Sequence, residues 1–348
     1  MRILDASGLT NTLVSGYHGA AGYQGPPAPT LTRALTEWTL DPWMLALILI
    51  LGGAYLAGTR LARGWPVARP IWFCGLGLGF LTLATMSWVG VYQPVLFYAR
   101  AIQTVMLVLL VPLFLALGRP VTLFTAVCPR AGARLEAVIR SFPARVLTFP
   151  AITTFALIAV PFVMYFTSWY TAVFHSTTVR ELTYVVLMIP GFVYFWTLLR
   201  VDPVPRAYLY GVTMWITAAQ VIGDAFFGIA VIADQNLLGY AYYHALARPF
   251  GPSLATDQVL GGGVLWILGD LVGLPFLAAQ LIHMMREDAS DAAQIDADLD
   301  AQEAELASNK AADLSSAASP AEAEVADDHQ PLWWETDPRF TSRFKSAD

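Results

Sequence analysis

Seven stretches of the chain are apolar for longer than the helices of a soluble core need: residues 43–59, 70–92, 95–117, 147–172, 182–199, 208–232 and 258–285. A helix rises about 1.5 Å per residue, so each can cross a hydrocarbon core of about 30 Å. The pattern predicts an all-α fold, a bundle of seven transmembrane helices over residues 42–286. Residues 1–41 hold no long apolar run and include Gly25-Pro26-Pro27-Ala28-Pro29, which reads as a loose extramembrane segment. Met1-Arg2 is not followed by the apolar core of a signal peptide.

The polar positions between the apolar blocks give an orientation, because Arg and Lys are retained on the cytoplasmic side. After spans one, three, five and seven come Arg60, Arg63, Arg69, Arg119, Arg130, Arg134, Arg140, Arg145, Arg200, Arg206 and Arg286. The opposite side has Arg2, Arg33, Arg180 and Arg248. Eleven against four places the N-terminus outside and the C-terminus in the cytoplasm. Residues 287–348 form a cytoplasmic acidic tail. From Glu287 to Asp328 it has thirteen acidic residues against Lys310 alone and few large apolar side chains, a composition that predicts disorder. Its end, Pro331 to Lys345, turns aromatic and basic, which reads as a docking peptide or interfacial anchor or, equally, as an inert tail end.

Composition fits this picture. The chain is 56% hydrophobic and 13% charged, with a mean hydropathy of +0.54, whereas soluble domains hold roughly 45–50% apolar and about 25% charged residues. The net charge of -6 averages over unlike regions and says little about partners. Two cysteines, Cys74 and Cys128, form neither a disulfide framework nor a metal motif. Lysine is confined to Lys310 and Lys345, the usage of a GC-rich bacterial genome. No hydrolase, zinc-protease, phosphate-loop or dinucleotide fingerprint stands in a supporting context, and the basic loop from Arg119 to Arg145 is explained by topology rather than by nucleic acid.

Ionisable side chains inside a span are expensive, at least ~2.5–3.5 kcal/mol each on insertion scales, so they face the bundle interior and mark function or packing. Arg100, Gln103 and Thr104 share one face near the outer end of span three. Thr213, Thr217, Gln220 and Asp224 make a stripe along span six, and Asp270 lies near the middle of span seven beyond Gly261-Gly262-Gly263. These spacings predict a polar intramembrane site of Arg100, Gln103, Thr104, Gln220, Asp224 and Asp270. In it Arg100 pairs with Asp224, and Asp270 bonds backbone near Pro275. The pair either locks two helices or borders a small polar cavity. The other metal-ligand candidates are His175 and His244 on outer loops and Met86 and Met106 within spans, where methionine is usually packing. No two histidines are spaced for joint binding on one helix, so no metal site, catalytic residue or cofactor is assigned.

Four motifs carry a resemblance. Val111-Pro-Leu-Phe-Leu-Ala-Leu-Gly-Arg-Pro-Val121, Arg200-Val-Asp-Pro-Val-Pro205, Phe226-Phe-Gly-Ile-Ala230 and the stretch from Asp257 to Asp270 with its glycines and Trp266 look like the CtaG-type cytochrome c oxidase assembly factors. Their order and spacing agree over roughly residues 43 to 286. The resemblance implies seven spans, a place in assembly of a haem-copper oxidase, and copper by association. Members of that family often carry a His-x-x-x-His pair around a Gln in the third span. Here Arg100 and Thr104 occupy those places around Gln103, and Asp224 stands for a histidine before Phe-Phe-Gly. Each departure removes an imidazole, so the resemblance implies fold and context and supplies no metal ligand.

The reading is therefore a non-enzymatic assembly or maturation factor for a cytochrome c oxidase in a bacterial plasma membrane. Its partners are the lipid bilayer and the subunits or assembly intermediates of a terminal oxidase. The alternatives are a transporter for a metal or small solute, motivated by the intramembrane charges, and a permanent accessory subunit of a respiratory complex. No inverted repeat supports the transporter.

Overall fold

The computed structural model describes residues 3–5, 23–200, 202–204 and 210–317. Its helices are α1 (Leu31–Thr36), α2 (Pro42–Leu61), α3 (Ala68–Tyr92), α4 (Phe97–Leu117), α5 (Pro120–Val127), α6 (Pro129–Ile139), α7 (Phe142–Leu147), α8 (Pro150–Phe166), α9 (Trp169–His175), α10 (Thr177–Leu199), α11 (Tyr210–Ala233), α12 (Tyr240–Leu246) and α13 (Leu254–Ala317). The described β-structure is one short parallel pairing, β1 (Ile3–Asp5) on β2 (Trp38–Leu40). Six helices are long and apolar enough to cross a membrane, and the bent pair α8 and α9 brings the number to seven. The fourth apolar block is thus not one straight rod. It breaks at Thr167-Ser168 with a bend of 69°, where the Thr167 hydroxyl caps the Trp169 amide at 3.3 Å.

The centre of the bundle is α4, with 72% of its apolar window buried against 22% for α2. It packs between α3 and α10, and α8 joins α10 to α11. One local feature sets the approach of α4 to α10. Pro112 has no N–H, so the carbonyl of Val108 loses its helical donor, and the helix widens into π turns over Met106–Leu110 just before it. Gly191 of α10 rests against that carbonyl, so closely that a Cβ there would lie 2.0 Å from the Val108 oxygen. A second close approach joins α13 to α11, where Cβ atoms on Gly228, Gly262 and Gly269 would meet the facing helix within 3 Å.

The basic stretch after α4 is three short helices rather than a loop. Arg130, Arg134, Arg140 and Arg145 are exposed there, beside the exposed apolar side chains of Phe142 and Leu147. That mixture suits a segment lying at a membrane surface.

The chain divides into two compact units at Arg286/Glu287. Residues 287–317 are helical, where composition led us to expect disorder, and every side chain described from Glu287 onward is exposed. Ala, Glu, Gln and Leu recur there and are strong helix formers, which supply helix without a core to bury. The rest of the tail, including Pro331 to Lys345, lies outside the described residues.

Candidate functional site

Arg100 projects from the first turns of α4 and is 1% exposed. Its Nη1 donates to Gln93 Oε1 at 3.1 Å and to Gln103 Oε1 at 2.9 Å, and its Nη2 reaches Met164 Sδ at 3.7 Å. The guanidinium carbon lies 5.9 Å from the centre of the Phe174 ring. Gln103 is held from behind: its Nε2 donates to Ala84 O at 2.7 Å and to the Tyr184 hydroxyl at 3.3 Å. Thr104 bonds the Arg100 carbonyl at 3.0 Å and the Tyr165 hydroxyl at 3.1 Å. The Tyr170 and Tyr243 hydroxyls meet at 2.8 Å, and the guanidinium acts electrostatically on Tyr165, Tyr170, Tyr184 and Tyr243. Residues from α3, α8, α9, α10 and α12 thus converge on the face of α4 that carries Arg100, Gln103 and Thr104.

The other half of the expected site is a separate cluster. On α11, Gln220 donates to Asp224, and Thr217 receives bonds from Tyr194 and from Gln280 of α13. Asp224 rests against Gly269 of α13 and feels the neighbouring carboxyl of Asp270. The expected ion pair between Arg100 and Asp224 is not formed. Among the described residues the ion pairs are Arg180–Glu181 and Arg248–Asp257. The physical reason is orientation: Asp224 turns toward Gly269 of α13, while Arg100 finds its acceptors in Gln93 and Gln103. Asp270 also departs from expectation, since its Oδ1 is buried with no hydrogen-bond partner and takes none from backbone near Pro275.

Two carboxylates that periodicity did not single out tie the bundle ends together. Asp257, at the start of α13, accepts from the Phe97 and Tyr98 amides at 3.0 Å each and so caps α4. Arg248 pairs with Asp257 at 2.7 Å and also donates to Val95 O and Pro252 O. At the other end, Asp202 accepts from the Val121 and Thr122 amides, at 3.2 and 3.0 Å, and from the Thr122 hydroxyl, capping α5. Burial pushes the Asp202 carboxyl above the ordinary carboxylate range, against the pull of its bonds to Thr122. Arg69 and Tyr55 supply donors to the last carbonyls of α4, Leu117 O at 2.9 Å and Gly118 O at 2.6 Å. Three of these residues were in view in the sequence, Asp202 and Asp257 inside quoted motifs and Arg248 in the charge tally. What was missing was the loop geometry that aims them.

The residues present do not fit a copper ion. The position facing the converging acceptors already holds a positive guanidinium, and no group of three or more His, Cys, Asp or Glu gathers among the described residues. His175 and His244 are exposed, each beside a tyrosine ring, while Met86 and Met106 are buried in the apolar core. The thioether that does reach the polar site is that of Met164.

A family model described as cytochrome c oxidase caa3 assembly factor (Caa3_CtaG) matches residues 53–287. An uncharacterised protein of Mycobacterium bovis is 30% identical over 297 residues, covering 82% of this chain and 45% of its own length, and one of Mycobacterium tuberculosis matches equally. An uncharacterised protein of Mycobacterium leprae is 26% identical over 280 residues, 77% of this chain and 42% of its own. The chain thus spans about half the length of these relatives. No solved structure matches it.

Proposed function

The chain belongs to the cytochrome c oxidase caa3 assembly factor family, and from that premise we propose that it matures a haem-copper oxidase in a bacterial plasma membrane without catalysing a reaction of its own. The observation that carries the reading is the family match, which covers residues 53–287, from the second half of α2 through the remaining spans. The side chains are consistent with it. The expensive groups are spent on fastening helices: Asp257 caps α4, Asp202 caps α5, and Arg100 joins α4 to Gln93 before it, to Met164 of α8 and to Phe174 of α9. No nucleophile paired with a base emerges from these contacts. A bundle so fastened presents a fixed surface to oxidase subunits or their assembly intermediates, and in this reading its work is done by contact. Copper delivery through the Arg100 cluster is no part of the proposal.

The experiment is deletion of the gene in its own host, followed by oxidase abundance, haem spectrum and copper content of the membranes. We expect a fall in assembled oxidase, with its haem absorbance, that is restored by the full chain. Normal oxidase in all three measurements removes the proposal.

A further inference from the structure

Among the described residues Arg100 is a buried cation with no carboxylate partner, and its surroundings explain how it is tolerated. The described groups that contact the guanidinium are neutral and present their electron-rich sides: the amide oxygens of Gln93 and Gln103, the sulfur of Met164 and the face of Phe174. The Gln103 amide is not free to turn away. Its nitrogen is committed to Ala84 O and Tyr184, which fixes the oxygen toward the guanidinium whether or not a cation is there. The Nε of Arg100 has no hydrogen-bond partner, so the cage is matched to the end of the fork and not to the whole side chain. If the arginine served only to lock helices, a carboxylate would be the usual partner, yet Asp224 faces α13 instead.

We propose that this cage is a cation receptor built into the bundle, with the chain's own guanidinium as its permanent occupant. The ligand class is a small planar monovalent cation, recognised by two amide oxygens, one thioether and an aromatic face. Two consequences follow. The wild-type site takes up no metal, because it is already filled by a tethered charge. With the side chain cut back, the cage stands open and accepts the same cation from solution. The inference does not rest on the oxidase reading, and its test uses purified full-length protein, so the two fail separately.

The test is thermal unfolding of the full chain in detergent, wild type beside Arg100→Ala, with guanidinium chloride at millimolar concentration and with urea and sodium chloride as neutral and ionic controls. We expect Arg100→Ala to melt several degrees lower and to recover most of that loss with guanidinium, saturably, while urea and sodium chloride do nothing and the wild type does not respond. An Arg100→Ala protein as stable as wild type overturns the proposal, as does one indifferent to guanidinium or equally responsive to urea. Stoichiometric copper in purified wild type, lost in Met164→Leu, overturns it too. Should Arg100→Ala fail to accumulate, Arg100→Lys and Arg100→Met decide. A receptor for positive charge keeps the lysine variant above the methionine variant in melting temperature. A methionine variant at or above the lysine one sinks the idea.

Discussion

Asp257 carries two loads with two oxygens, and both are buried. Oδ1 and Oδ2 close the first amides of α4, and Oδ2 also takes Arg248, whose side chain is 5% exposed. Asp257→Asn keeps a capping oxygen but leaves Arg248 as a desolvated charge with only carbonyls for company. Removing one partner of a buried pair costs about 3–5 kcal/mol, so a melting temperature well below wild type is the expected outcome in a detergent unfolding assay. Arg248→Met combined with Asp257→Asn should recover part of the loss, because the stranded charge is gone. A single Asp257→Asn variant that melts like wild type contradicts this account. The same residues show how far the site was legible. The cost of burying Arg100, Asp224 and Asp270 marks them in the sequence, and helical spacing places Gln103 and Thr104 beside Arg100. Spacing along one helix does not say which neighbour a side chain turns toward. The Arg100 to Asp224 pairing failed for that reason, and the loop residue Gln93 and the tyrosines of four other helices went unforeseen.

At the scale of the helices, the apolar blocks locate the spans because a bilayer demands length and nothing subtler. What they cannot show is how closely two spans approach. The motif around Pro112 acquires a meaning only beside Pro190-Gly191: the proline frees the Val108 carbonyl, and the glycine lets α10 lie on it. Gly191→Ala would place a Cβ 2.0 Å from that oxygen, so α4 and α10 must separate. Overpacking of this kind costs typically ~1–3 kcal/mol, and a contact with backbone leaves no side chain to yield. Gly53 of α2 has nothing within 4 Å, and Gly53→Ala should be neutral or stabilise by up to about 1 kcal/mol through helix propensity. Unfolding of the two alanine variants side by side checks the contrast. Equal stability would mean that the glycine contact does not set the helix spacing. The bend after Phe166 and the helix over 287–317 escaped the sequence reading for related reasons. A two-residue polar break inside an apolar block leaves its hydropathy unchanged, and a low-hydropathy acidic run says nothing against helix when alanine is frequent.

For the molecule as a whole the open quantity is which way it sits in the membrane, and the chain carries its own probe. The arginine count puts the segment from α5 to α7 in the cytoplasm, and Cys128 between α5 and α6 is exposed, while Cys74 lies within the second span and is partly covered. A membrane-impermeant maleimide should therefore leave the protein unlabelled in intact spheroplasts and label it once per chain in inverted vesicles. Cys128→Ser should abolish the signal, which separates the loop thiol from Cys74. Labelling of Cys128 in intact spheroplasts would reverse the orientation without touching the fold. The result also assigns the polar cluster to a side. Arg100 stands at the start of α4 and Cys128 beyond its end, so one span separates them. If Cys128 is cytoplasmic, Arg100, its tyrosines and the Arg248–Asp257 clasp belong to the outer half of the bilayer.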